Sequence, residues 1–120
     1  MIETFNPDSA DEAGAIVSDA LAAETPLEIV GGGTRRALGR PVQAAATLDL
    51  SGHFGITAYN PAELVMSARA GTPLSVIEEE LDRNGQMLTF EPMDHRPVFG
   101  LDGEPTIGGV FAANVSGPRR

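Results

Sequence analysis

The stretch LEIVGGGTRRALGRP, residues 27–41, decides the fold. Residues 27–30, mostly apolar, lead directly into three consecutive glycines, which are followed by Thr34 and Arg35. This order indicates a short buried strand that ends in a loop whose main chain is unobstructed. Free N–H groups beside a hydroxyl and a positive charge suit a phosphate group, so the loop 31–35 is a candidate anion site. A purely structural turn explains the glycines equally well, and both interpretations stay open at this point.

Two familiar nucleotide-binding motifs do not fit this loop. The dinucleotide motif G-x-G-x-x-G needs a third glycine where Arg36 stands. The Walker A motif needs a lysine, and the sequence contains none, since all 8 basic residues are arginines. Phosphate binding at this loop would therefore depend on main-chain donors and on arginine.

The composition limits the function. The chain has 120 residues, which is enough for one domain with a modest core. Its formal net charge of −9 argues against a nucleic-acid partner, because a phosphate backbone needs a basic surface. The absence of cysteine excludes disulfides and thiolate-held metals or iron–sulfur clusters, and no metal site is expected. The acidic start and the lack of a long apolar run predict a cytoplasmic protein that reaches a membrane only through partners.

Two helices are predicted from capping signals and periodicity. Ser9 begins a capping-box pattern before an apolar stripe, which predicts a helix over 9–23. Thr72 is predicted to cap a second helix that begins at Pro73 and ends before Gly85. The buried face of this second helix is expected to comprise Leu74, Ile77 and Leu81.

Strands complete the predicted fold. Alternation and turn signals place them over 27–30, 45–51, both halves of 56–71, and 86–90. After residue 90, prolines and glycines interrupt any regular pattern as far as the segment TIGGVFAANVSGPRR. The whole predicts an α+β domain that consists of a small mixed sheet with flanking helices.

A second glycine segment, PTIGGVFAANVSG at 105–117, lies far downstream. Its glycines have no side chain and its alanines have a small one, so a flat or bulky ligand could approach the backbone. Taken alone, close packing between a helix and a strand is the simpler explanation.

Together, the two glycine segments resemble the two main-chain clamps of the FAD-binding domain shared by vanillyl-alcohol oxidase and p-cresol methylhydroxylase, the PCMH-type domain. Within that superfamily, FEPMD…GEPTIGGVFAANVSGPRR is similar to the FAD-binding subunits of bacterial glycolate oxidases. The resemblance covers roughly residues 27–118. It implies that residues 1–120 form the N-terminal part of such a domain, incomplete at the C-terminal end.

The resemblance also implies which residues bind FAD. Backbone N–H groups of the first clamp would hold the pyrophosphate, and the second clamp would lie along the pyrophosphate and the ribityl chain. Ala113 and Ser116 would lie near the flavin, and Pro92 would border its pocket. The first clamp comprises Gly31, Gly32, Gly33, Thr34 and Arg35, and the second comprises Thr106, Ile107, Gly108 and Gly109. No residue is assigned as a catalytic base.

The implied function is that of an FAD-dependent oxidoreductase acting on a small 2-hydroxy acid such as glycolate. The implied partners are a second flavoprotein subunit and an iron–sulfur subunit, and the isolated chain is expected to be inactive. FAD is expected to bind non-covalently, because His53 and His95 both lie outside the first clamp. The alternative is a non-catalytic α+β assembly module with vestigial flavin loops.

Two further expectations concern particular side chains. His95 is expected to lie in a solvated loop cluster with Asp94 and Arg96. Gly32 and Gly108 are expected to be glycines because the pyrophosphate lies against them. On that basis, alanine at either glycine should weaken FAD binding and leave the FAD-free protein almost as stable as before.

Overall fold

A computed structural model describes residues 2–119 as a series of short strands and helices. In chain order the elements are β1 (Glu3–Phe5), α1 (Ala10–Ala22), β2 (Leu27–Val30), β3 (Ala46–Asp49), β4 (Ile56–Asn60), β5 (Val65–Ala68), α2 (Leu74–Arg83), α3 (Arg96–Phe99) and α4 (Ile107–Ala113). Short 3₁₀ turns follow β3 and join β4 to β5. The predicted α+β fold, a small sheet with flanking helices, is confirmed.

Parallel and antiparallel pairing occur in separate sheets. β1, β3 and β2 form a parallel sheet in that order, whereas β4 and β5 form an antiparallel hairpin. β3 is the central strand, and Ala46, Thr47 and Leu48 are all buried in it. A central parallel strand is covered on both faces, which explains why β3 is buried without alternation. The sheet therefore holds the end of β2, and with it the glycine loop, against a fixed support.

The two long helices begin and pack differently. At the start of α1, the Ser9 hydroxyl accepts a hydrogen bond from the Glu12 N–H at 3.2 Å, which confirms the predicted cap. The α1 residue Leu21 is nevertheless 79% exposed, and no residue of α1 is buried. In α2 the predicted face is buried as expected, with Leu74, Ile77 and Leu81 in the core.

The prediction that Thr72 caps α2 is wrong. Pro73 occupies the cap position, and Thr72 is fully buried. Its hydroxyl donates to the Arg69 carbonyl at 2.6 Å and accepts from the Gly55 N–H at 2.9 Å. Thr72 therefore fastens the hairpin to the start of α2 instead of satisfying the first turn of the helix.

The strand predicted over 86–90 is not formed, because Gln86 has other partners. Its N–H donates to the Leu81 carbonyl and closes the end of α2. Its side chain bonds the Tyr59 hydroxyl and the Pro61 carbonyl at the hairpin turn. Three elements had no predicted counterpart, namely β1, α3 and α4.

The described residues form an open arrangement. The buried hydrophobic residues are few, namely Ala46, Leu48, Leu74, Ile77, Leu81 and Val110. The radius of gyration is 15.5 Å, whereas a closed domain of this length has a radius of about 14 Å. Several large apolar side chains, Phe111 and Leu64 among them, are mostly exposed. No helix within residues 2–119 is long and apolar enough to cross a membrane.

Replacement of Gly14 by alanine should stabilise the protein. Gly14 lies within α1, and a Cβ there would meet no atom within 4 Å. Glycine inside a helix costs roughly 0.5–1 kcal/mol relative to alanine, because the unfolded chain loses more freedom. Urea unfolding of Gly14→Ala should show a gain of about that size. A loss of stability would mean that α1 is packed by something against this face.

Candidate functional site

The two glycine segments meet main chain to main chain. A Cβ on Gly31 would collide with the side chain of Thr106, and one on Gly32 would collide with the carbonyl oxygen of Glu104. On the other side of the same contact, a Cβ on Gly103 would lie 2.6 Å from the Gly32 carbonyl oxygen. Close approach of this kind is possible only for glycine. The loop after β2 and the segment before α4 are thus joined at a few backbone atoms.

Backbone contacts at Gly32 and at Gly108 correct the expectation that these residues are glycines because a ligand lies against them. A Cβ on Gly108 would lie 2.8 Å from the Ala70 carbonyl oxygen, next to the end of β5. At both positions the space that a side chain would need is filled by the protein's own backbone. Glycine at these positions is therefore required by the fold, before any ligand is considered.

A groove runs between the glycine loop and α4. It has a volume of about 460 Å³ and is bordered along one side by β2. The predicted site residues that line it are Gly31, Gly32, Gly33, Thr34, Arg35, Thr106, Gly109 and Ala113. The structure therefore brings most of both predicted clamps to one surface.

The loop offers a row of free hydrogen-bond donors to this groove. The backbone N–H groups of Gly32, Gly33, Thr34 and Arg35 donate to no other group within residues 2–119. Gly33 has φ +73°, a left-handed conformation that turns the chain around this point. Successive N–H groups in such a turn form a concave anion site.

The N–H groups of α4 are already used within the protein. Ile107 donates to the Thr72 carbonyl and Gly108 to the Ala70 carbonyl, both at 2.9 Å. Gly109 donates to the hydroxyl of its own cap, Thr106, at 3.3 Å. The second clamp therefore contributes the shape of the groove, and the first contributes the donors.

Two cationic side chains line the groove; Arg36 is paired with Glu28, whereas Arg35 is held by two other residues. Its Nε donates to His95 Nδ1 at 3.0 Å and its Nη2 donates to the Met93 carbonyl at 2.9 Å. Nη1 makes no hydrogen bond to a described residue and lies 3.2 Å from the point that a Cβ on Gly109 would occupy. Burial lowers the pKa of Arg35, and the nearby Asp94 carboxylate partly offsets this. The side chain remains cationic at any working pH.

The expectation that His95 is solvated is wrong. His95 is only 4% exposed and stacks on Phe99, with ring centroids 5.9 Å apart and an angle of 8° between the planes. Its neighbours Asp94 and Arg96 do pair at the surface, at 2.9 Å. The imidazole turns inward because Arg35, which is 60 residues away in the chain, offers it a donor.

The remaining predicted residues lie elsewhere. Ile107 and Gly108 line an apolar groove on another side of α4, together with Met66 and Ala70 of the hairpin region. Pro92 pairs with Ser116 through an isolated β-bridge. None of these four lines the groove of the glycine loop. Within the described part of the chain, no group of three His, Asp or Glu side chains is placed to hold a metal ion.

Comparison with known proteins gives the family. A family model described as "FAD binding domain" matches residues 3–120, and the chain belongs to this family. A similar protein is glycolate oxidase subunit GlcE of Escherichia coli (strain K12), which is 47% identical over 104 residues. The alignment covers 87% of this chain and 28% of that relative. The chain thus spans under a third of the length of the curated relative that it matches.

Gly32→Ala should destabilise the protein even without a ligand. The added Cβ would collide with a backbone carbonyl, which cannot rotate away as a side chain would. Overpacking of this kind costs typically about 1–3 kcal/mol, and a backbone neighbour puts the expected loss at the upper end. Urea unfolding beside Gly14→Ala, a matched glycine replacement in open space, measures this effect. An unchanged free energy of unfolding would show that the loop and Glu104 do not touch.

The Glu28–Arg36 pair, which fixes the base of the loop, should make stability depend on pH. Arg36 donates to both carboxylate oxygens, at 2.9 and 2.6 Å, and these bonds lower the pKa of Glu28 from its ordinary value near 4.5. A lowered pKa in the folded protein means stabilisation above that ordinary value and its loss as the pH falls further. The difference in melting temperature between wild type and Glu28→Gln should therefore shrink from about pH 7 to about pH 3. The exposed Glu63→Gln serves as the control, and a constant difference for Glu28→Gln would contradict the prediction.

Proposed function

We propose that this chain is the FAD-binding part of an oxidoreductase that oxidises a small 2-hydroxy acid such as glycolate. The single observation that carries the proposal is the row of four free N–H groups at Gly32–Arg35. Family membership supports FAD as the ligand, and the similarity to a glycolate oxidase subunit supports the substrate.

The groove fits the pyrophosphate of FAD. Pyrophosphate carries negative charge and several strong acceptor oxygens, which the loop can meet with consecutive N–H donors. The guanidinium of Arg35 adds a positive charge with one nitrogen, Nη1, facing the groove. The chain as a whole has a formal charge of −9, so this local positive end is needed for an anion to bind here.

Different residues would hold different parts of the cofactor. Gly31–Arg35 would bind the pyrophosphate, while Thr106, Gly109 and Ala113 would form the opposite wall of the groove. We assign the flavin end to the neighbourhood of Pro92, Ala113 and Ser116, and the ribityl chain to Ile107 and Gly108. In support, Ser116 borders an apolar pocket of about 220 Å³ that Phe90 and Phe111 also line, which suits an aromatic ring.

Bound FAD would supply the two-electron redox chemistry, in which the hydroxy acid is oxidised to the corresponding oxo acid. The role of this chain would be to bind and orient the cofactor. The surrounding enzyme would include a second flavoprotein subunit and an iron–sulfur subunit. We place it in the cytoplasm, with any attachment to a membrane made through those partners.

We propose that the cofactor is held non-covalently and that further polypeptide completes its site. The chain has no cysteine, and the imidazole of His95 is buried against Arg35 and Phe99. The exposed apolar residues around the pocket, Phe111 above all at 72%, support a site that needs additional cover. The isolated chain is therefore expected to bind FAD weakly and to be inactive.

Titration with FAD and with ADP, which shares the pyrophosphate but lacks the flavin, tests the proposal. Both ligands should perturb the amide signals of residues 31–35 in NMR spectra of the chain. Arg35→Met should weaken both by about tenfold, roughly 1.4 kcal/mol, because a charge-assisted contact is lost. Arg40→Met, which removes the same charge from an exposed position of the loop, should change little. Absence of any response at residues 31–35 would contradict FAD binding and favour the non-catalytic assembly module.

The mode of attachment is tested on protein purified with its cofactor. Acid precipitation unfolds the protein and frees a ligand that is held only by non-covalent contacts. All flavin absorbance should then appear in the supernatant. Yellow colour that stays in the pellet would show a covalent bond and contradict this part of the proposal.

A further inference from the structure

We infer that His95 is a positioning residue, which holds the Arg35 guanidinium toward the groove. The inference rests on the proposed function, because it concerns the cation that would meet the pyrophosphate. It assigns a role to a side chain that sits outside the groove and touches the ligand only through another residue.

The hydrogen-bond roles in this pair are fixed by chemistry. Arginine has donors only and does not lose its proton in proteins. The bond of 3.0 Å from Arg35 Nε therefore needs a free lone pair on His95 Nδ1, so the imidazole must be neutral with its proton on Nε2. A protonated imidazole has two donors and no acceptor. Protonation of His95 would thus replace this hydrogen bond with two facing N–H groups.

Two anchors set the orientation of Arg35. The His95 imidazole holds Nε, the Met93 carbonyl holds Nη2, and these leave Nη1 directed at Gly109 and the groove. A planar guanidinium that is held at two nitrogens has no remaining rotation, so the third is pre-oriented for a ligand. With the Met93 bond alone, the plane could rotate and move Nη1 away from the groove.

His95 is itself held rigidly. It is 4% exposed, and the parallel ring of Phe99 in α3 packs on one face. The charged groups of the elements around it are Arg35 in the glycine loop, Asp94 and Arg96 beside it in the chain, and Glu104 before α4. Arg96 donates to the Asp94 carboxylate through Nε and Nη2 and lies 3.9 Å from Glu104, so both carboxylates have a partner.

The test is an NMR titration of the 120-residue chain and its variants with ADP and with FAD near neutral pH. His95→Asn places an amide oxygen near the position of Nδ1 that can accept from Arg35, so it should keep the affinity of the wild type. His95→Phe keeps the stacking on Phe99 but has no acceptor, so both dissociation constants should rise by about tenfold, the size of one lost charge-assisted contact.

Matched controls separate this role from a general effect on folding. His53→Asn removes the other histidine and should leave the affinity of the wild type unchanged. Melting temperatures of all variants should be measured, so that affinity is compared only between folded proteins. In the wild type, the nitrogen shifts of His95 should report a proton on Nε2.

Each contrary result has a distinct meaning. A proton on Nδ1, or a folded His95→Phe that binds as tightly as wild type, would overturn the positioning role. These results would leave FAD binding itself supported. No binding of ADP or FAD at residues 31–35 in the folded wild type would overturn the proposed function, and the role of His95 with it.

Discussion

The contact between the backbone at Gly31–Gly32 and the segment at Glu104–Thr106 is the constraint on which the rest of the structure depends. It involves almost no side-chain surface, so it requires glycine on one side and a fixed carbonyl on the other. The parallel sheet supports the loop through β2, and this contact holds the start of α4 against the loop. The groove lies beside this contact and is lined by residues of both segments.

The two glycine segments differ in whether their backbone N–H groups have partners within the protein. The N–H groups at the start of α4 face inward, toward carbonyls at Ala70 and Thr72, and tie the helix to the hairpin. Those of the first loop have no partner within residues 2–119. An acidic chain thus brings unpaired main-chain donors and the Arg35 guanidinium together at one groove.

Sequence reasoning succeeded where the signal was local. The cap at Ser9, the buried face of α2 and the strand before the glycine loop each depend on residues a few positions apart, and each is confirmed. It failed where a distant partner decided the outcome. Thr72 bonds Gly55 instead of capping α2, and Gln86 closes the end of α2 instead of starting a strand. His95 is hydrogen-bonded to Arg35 instead of being solvated. The glycines were recognised as marking close approach, but whether a ligand or the chain itself approaches could be read only from the structure.

The order of strands in the parallel sheet has a consequence for the way the chain reaches this structure. β1 pairs with β3, so Glu3 must meet Ala46 across a segment that includes α1, β2 and the whole glycine loop. Contacts between residues so far apart form late, because closing a long loop costs entropy before the pairing compensates for it. During synthesis the first strand therefore leaves the ribosome without a neighbour and waits until β3 has followed. Until then its edge is open, and the glycine loop has no sheet to support it.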